Sequence, residues 1–443
     1  MNSPIFIYCP IPTERHHYVF NLIFKDILGI DYNYSNDLSS SHINYSNQNS
    51  SQINITPHGL LGESIIRYNI LNEVNFEQWK DTSIFFKTNT ENIPFDIFSA
   101  TFFLVSRYEE YLDFKPDNHN RFPATESVLY KNGLLEIPLV NQWVKLLKSE
   151  LQAFYNLSFP IQKFSFRSTI DIDQAWKFEN KGFVRNALGM FRDLVRLNIT
   201  ELVERYQVLS GKQPDPYHNF EWQNSIHNRY NVDVTYFILL GNYGKYDKNI
   251  SINNGHFIRL IKYLFSNPRN KIGIHPSYAS NNDKSALKNE YESLCDIVNN
   301  DLEISRQHFL IHSMFKTYQN LIGLGINEDH TMGYSTHMGF RAGIASSFFW
   351  FDLYNNKSTN LKLVPFCIMD ITPMFYRKET PNQAIVSINK MIQSVSDVGG
   401  LFVSLWHNDS LSETNRWIGW RKVYANMLKQ LDDVNSGKSN SYE

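Results

Sequence analysis

The chain has 443 residues, enough for about two to three domains, and its apolar content of 42% suffices for ordinary cores. A net charge of −2 argues against nucleic acid as a partner. Cys9, Cys295 and Cys367 are widely separated and support neither a disulfide framework nor a cysteine zinc site.

The start, Met1 to Tyr8, lacks the basic and long apolar regions of a signal peptide. No stretch approaches the ~20 apolar residues of a membrane span, so the expected location is the cytoplasm. Residues 4–8 read as a first strand. His17 to Leu28 has helical spacing through Val19, Phe20, Leu22, Ile23 and Ile27. Asn33 to Thr56 is rich in Asn and Ser and reads as short strands and loops. Phe95 to Leu112 and Leu139 to Phe154 read as two further helices, the first ending in Ser106-Arg107-Tyr108-Glu109-Glu110-Tyr111. Together these predict a mixed α/β N-terminal domain over 1–160.

From Ser165 the pattern becomes strand, helix, strand, helix. Candidate strands end at Asp171, Leu240 and His275, near His308, Asp329 and Asp370, and at His407. Helical patterns such as Lys284 to Val298 and Pro381 to Val395 lie between them. This alternation argues for a parallel sheet with covered faces, and about seven units in roughly 270 residues suit a barrel over 161–430. An open doubly wound sheet is the second choice.

Asp171 and Asp173 stand at i and i+2 where a strand finishes, so they share a face. Two like charges on one face are costly unless a cation lies between them or one holds a proton. His275, His308, Asp370 and His407 recur at the same topological place, which in a barrel is the active-site end. Carboxylates and imidazoles together suit zinc or another divalent first-row metal.

In motif order, about residues 165–410 resemble the polysaccharide deacetylases of carbohydrate esterase family four. The carrying stretches are Thr169-Ile170-Asp171-Ile172-Asp173, His275-Pro276-Ser277-Tyr278-Ala279-Ser280, Gly339-Phe340-Arg341-Ala342-Gly343, Ile368-Met369-Asp370 and Leu405-Trp406-His407. The layout with Ser106 to Tyr111 is similar to a divergent bacterial branch with its own N-terminal domain. The resemblance implies a distorted (β/α)7 barrel holding one divalent metal, zinc by preference. It also implies hydrolysis of an N- or O-acetyl group on a carbohydrate.

Two departures bear on the site. Ile172 separates the two carboxylates, which leaves open which one is the ligand. Ala279 occupies the position of the family's second metal histidine and cannot coordinate. His308 is the expected replacement, with His330 and His312 as alternatives. The family's roles then make Asp171 the general base and Asp173, His275 and His308 the metal ligands. Arg341 balances the charge of the base, His407 is the general acid, and Asp370 fixes its tautomer. Trp176, Tyr278 and Trp406 are candidate sugar-stacking rings, and Asp329 to Arg341 a candidate wall of the site. Ala279 also admits a catalytically inactive carbohydrate-binding or scaffold protein. A metal-independent glycoside hydrolase would use Asp171 or Asp173 with another carboxylate.

Overall fold

The computed structural model describes residues 3–49 and 53–437. Met1 and Asn2 of the expected start, and residues 50–52 of the Asn/Ser-rich stretch, lie outside the described residues.

The N-terminal region builds a four-stranded parallel sheet in the order β2-β1-β3-β4. Its strands are β1 (Ile5–Tyr8), β2 (Tyr32–Ser35), β3 (Ile43–Asn44) and β4 (Ile53–Asn54). A hairpin of β5 (Glu77–Trp79) and β6 (Thr82–Ile84) follows. The first helix, Glu14–Phe20, runs on through a wide π-helical turn, Asn21–Ile27. The helix expected over Phe95 to Leu112 is shorter, Ile97–Val105. The Asp96 side chain caps it by accepting from the N–H groups of Phe98 and Ser99. It stops because Arg107 takes a left-handed backbone, φ +54°, before the turn Tyr108–Tyr111.

The second part is one sheet of nine strands, in the order β12-β13-β11-β10-β9-β8-β7-β15-β14. These are β7 (Ser165–Ile172), β8 (Val234–Leu239), β9 (Asn270–His275), β10 (Ile304–Ser305), β11 (Glu328–Asp329), β12 (Phe348–Asp352), β13 (Lys357–Leu363), β14 (Ile368–Met369) and β15 (Leu401–His407). All neighbouring pairs are parallel except β12 with β13. β7 and β8 are buried along most of their length, as expected of a sheet covered on both faces.

The sheet differs from the expected seven-unit barrel by the β12–β13 hairpin, which the sequence reading missed. Among the described residues its edge strands β12 and β14 do not pair. Backbone bonds from Leu401 N to Ala345 O (2.7 Å) and from Gly339 N to Cys367 O (2.8 Å) link the chain across that gap. The last helix, Trp420–Asn435, passes the expected boundary at 430.

The two regions share one continuous hydrophobic cluster. Tyr18 OH donates to Phe349 O (2.7 Å), and Trp350 Nε1 donates to Tyr111 OH (3.2 Å). The hairpin missed in sequence is therefore the surface on which the N-terminal region sits.

Candidate metal and acid–base site

β7 ends at Ile172, which leaves Asp171 as a buried strand residue and Asp173 just beyond, half-buried at the mouth. β9 ends at His275, two strands away. Asp173, His275 and His308 each offer one ligand atom, and these atoms lie within 4.8 Å of one another. His275 Nε2 is 3.4 Å from Asp173 Oδ1, and His308 Nε2 is 3.5 Å from Asp173 Oδ2.

Both imidazoles are held from behind. His275 Nδ1 bonds to the Arg306 carbonyl (2.6 Å) and His308 Nδ1 to Asp247 Oδ1 (2.8 Å). With acceptors at both Nδ1 atoms, each Nδ1 carries a proton and each Nε2 faces Asp173, where a metal would take the place of any Nε2 proton. Asp173 Oδ1 is buried with no hydrogen-bond partner. Two imidazole nitrogens and one carboxylate oxygen, one of them unsatisfied, fit a divalent metal with an open position.

His308 is not on a strand, as expected, but in the turn His308–Leu310 that follows β10. Phe309 and Leu310 both adopt left-handed backbones there, φ +58° and +55°. Each such non-glycine residue costs roughly 1–3 kcal/mol. Arg121 of the N-terminal region offsets part of this by donating from Nη1 to Phe309 O (2.6 Å). Ala279 lies across from this turn, and its N–H points at Asp247 Oδ2 (3.3 Å). The Ala279 backbone thus supports the carboxylate that holds His308.

Burial pushes the His308 imidazole down, but the Asp173 and Asp247 carboxylates outweigh it and lift it to about 9. Burial likewise pushes Asp173 up, and its contacts with His308 and His275 pull it well below the usual carboxylate range. His330 and His312 lie elsewhere. His330 Nε2 pairs with Glu328 Oε1 at 2.7 Å, and His312 Nε2 lies 3.9 Å from Glu110 Oε2.

Asp171 Oδ2 is 3.6 Å from His275 Nε2, and its Oδ1 accepts from Arg306 Nη1 at 2.7 Å. This corrects the expected role of Arg341. Arg341 instead donates from Nε and Nη2 to Glu110 (2.9 and 2.6 Å) and from Nη1 to Gly333 O. Glu110 in turn accepts from Arg107 Nε at 2.7 Å, so the Ser106 to Tyr111 stretch locks onto the segment carrying Arg341. Gly339, φ +126°, has no room for a Cβ against the Leu135 carbonyl. Its freedom serves packing between the two regions rather than approach to a ligand.

His407 closes β15, which pairs with β7 on the side away from β9. Its Nδ1 is 3.0 and 3.1 Å from the two Asp370 oxygens, and its N–H donates to Asp370 Oδ2 at 2.7 Å. Burial lowers this imidazole, but the Asp370 charge and hydrogen bond carry it well above its ordinary value.

A cavity of about 440 Å³ joins these residues. Asp171, Asp173, His275, His308 and His407 line it, and so do residues the sequence reading missed: His119, Arg121, Asp409 and Trp417. His119 and Arg121 come from the N-terminal region, and the His119 ring packs 5.1 Å from Phe309. Burial raises the Asp409 carboxyl to about 6. Of the expected stacking rings, Trp406 is wholly buried against Trp420 and Tyr424, and Trp176 is stacked on His218. Tyr278 stacks on Tyr246 at 4.2 Å beside His119. From the expected wall, Ser335 lines the cavity. Asp329 is instead buried, accepting from the Ser305 and Thr331 hydroxyls.

Residues 5–156 match a family described only as "Family of unknown function (DUF7033)". No curated protein matches the chain. Among solved structures, the chain is similar to a candidate polysaccharide deacetylase from Mycobacterium smegmatis, with 15% identity and a TM-score of 0.40 over 64% of this chain and 94% of that one. A polysaccharide deacetylase from Bacillus cereus shares 14% identity over 61% of this chain and 87% of that one, with a TM-score of 0.30. A CE4 family pseudoenzyme from Bacillus anthracis shares 10% identity over 61% of each chain, also at 0.30.

Proposed function

We propose that this protein is a metal-dependent hydrolase that removes an acetyl group from a carbohydrate. The observation that carries the reading is the convergence of Asp173, His275 and His308 with both Nδ1 atoms tied back. Three protein ligands with a position to spare are what a catalytic divalent metal requires. Zinc bound there would polarise an acetyl carbonyl and lower the pKa of water.

The chain's own groups supply the proton traffic. Asp171, beside His275 and fixed by Arg306, takes a proton from the attacking water. Arg306 holds the Asp171 carboxylate in place for that task, in the role the sequence reading gave to Arg341. His407 carries its proton on Nε2 toward the cavity, with Nδ1 engaged by Asp370, and gives it to the leaving amine or alcohol. The same Asp370 contact fixes the ring's orientation. His119, Arg121 and Trp417 give the cavity polar and aromatic surface suited to a sugar. Ala279 does not leave the site one ligand short, because His308 fills the set.

The test is metal content of the purified protein, then acetate release from a panel of N- and O-acetylated oligosaccharides before and after chelation. Zinc near one equivalent and chelator-sensitive acetate release support the reading. A protein that binds zinc but releases acetate from none of the panel refutes it.

A further inference from the structure

The loop after Asp173 leads into a helical hairpin, Phe183–Val195 and Ile199–Leu209, whose packing is inverted. The first helix buries polar residues: Asn186 and Asp193 face inward, where Arg205 of the second helix donates to both (3.2 and 2.6 Å). Gly189 leaves room for that guanidinium, which a Cβ would meet. The apolar residues face outward instead. Phe183 is 88% exposed and Phe191 67%, with Val184, Leu188, Leu194 and Val195 beside them. On a helical projection these six fall on one continuous arc. Leu197 and Ile199 extend the exposed surface around the turn.

So large an exposed apolar surface marks an interaction site, and the adjacent charge selects its occupant. Residues 181–209 carry five cations, Lys181, Arg185, Arg192, Arg196 and Arg205, against the three anions Asp193, Glu201 and Glu204, in a chain whose net charge is −2. Arg192 and Arg196 are exposed and lie on one flank of the apolar arc. Asp193 is buried between Arg205 and Arg192, which both donate to it, and leaves Arg196 on this flank as the exposed cation it does not pair with. A second copy docked through this face would bring like charges together. An anionic bilayer offers an apolar interior for the rings and lipid phosphates for the flanking guanidinium groups.

We propose that the hairpin Phe183–Leu209 seats the protein on an anionic membrane surface. It does so peripherally: among the described residues no helix is long and apolar enough to cross a membrane. The hairpin is also tied to the rim of the cavity. Lys181 Nζ donates to Gln174 Oε1 (2.7 Å), and Arg185 donates to the carbonyls of Lys248 and Asn249 (3.1 and 3.2 Å). These segments adjoin Asp173 and Asp247, so seating holds the mouth of the site close to the lipid. The inference is independent of the reaction proposed above.

The experiment is co-sedimentation of the full chain with phosphatidylcholine vesicles, with and without phosphatidylglycerol, at low and high salt. Light scattering of the free protein is run alongside. Wild-type protein sediments with the phosphatidylglycerol vesicles and is released by salt. The variant Leu188→Ser/Phe191→Ser/Leu194→Ser binds at least about tenfold less at an unchanged melting temperature. Arg196→Glu weakens the preference for the anionic vesicles. Wild-type protein that stays in the supernatant, or serine-variant binding equal to wild type, overturns the proposal. So does self-association that the serine variant abolishes, which would make a second copy the occupant.

Discussion

Arg306 and Asp171 form a buried ion pair at 2.7 Å across the interior of the sheet, and the same arginine's backbone carbonyl holds His275 Nδ1 at 2.6 Å. One residue thus fixes both the candidate base and a candidate metal ligand. Its guanidinium stacks over Phe237, 4.3 Å from the ring centre, and donates from Nε to the His330 carbonyl. Planarity and several donors are both used, which lysine cannot reproduce.

Arg306→Lys should therefore keep zinc and lose activity by about 10²-fold or more, because the ligands remain while the base is no longer fixed. Arg306→Ala should also destabilise the fold, by about 3–5 kcal/mol, by leaving Asp171 buried without its partner. Zinc stoichiometry, acetate release and a denaturation curve on each variant check this. Full activity in Arg306→Lys would return the charge-balancing role to another cation.

His308→Ala should abolish zinc binding and activity together, whereas His407→Ala should keep the metal and lose turnover. Asp247→Asn should weaken zinc binding by about 10–100-fold, through the loss of the carboxylate behind His308. Because His308 is held at about 9 without metal, binding must displace its proton. Zinc affinity should then rise about tenfold per pH unit from 7 up to about 9 and level off above it. Calorimetric titration at several pH values reads this directly. Full zinc occupancy in His308→Ala would remove it from the ligand set.

Asp370→Asn should shift the alkaline limb of the pH–rate profile to lower pH. The Asp370 carboxylate outweighs burial and raises His407, so its neutralisation lets the acid lose its proton sooner. A limb that stays in place would mean another group is the acid.

Glu110 joins the N-terminal region to Arg341 in the second part of the chain. Burial would raise its carboxyl, but Arg341 and Arg107 outweigh it and hold it at about 2, against an ordinary 4.5. A depressed carboxylate stabilises the fold above its unfolded value and loses that contribution as pH falls through the folded one. The stability gap between wild type and Glu110→Gln should therefore be full at pH 7. It should shrink as pH drops from about 4.5 toward about 2. Denaturant titrations at several pH values would show it, and a gap independent of pH would contradict the assignment.

The sequence by itself determined the elements with strong local patterns. The helix Lys284–Val298 and the strands ending at His275 and His407 stand where periodicity placed them. Asp171 and Asp173 announced themselves because a strand repeats its faces every second residue. The choice between Arg306 and Arg341 was not legible. Arg306 meets Asp171 across 135 positions and Arg341 meets Glu110 across 231, and no local period records such a pairing. His308 was named as a ligand, but its position in a strained turn held by Arg121 and Asp247 was set by distant parts of the chain. The hairpin Phe183–Leu209 shows the same division. Its amphipathic spacing is written in the sequence, but which face turns inward was decided by Arg205, which draws Asn186 and Asp193 beneath it and leaves the apolar arc outside. Local spacing specifies which residues share a face, whereas the partner each face meets depends on contacts between segments far apart in the chain.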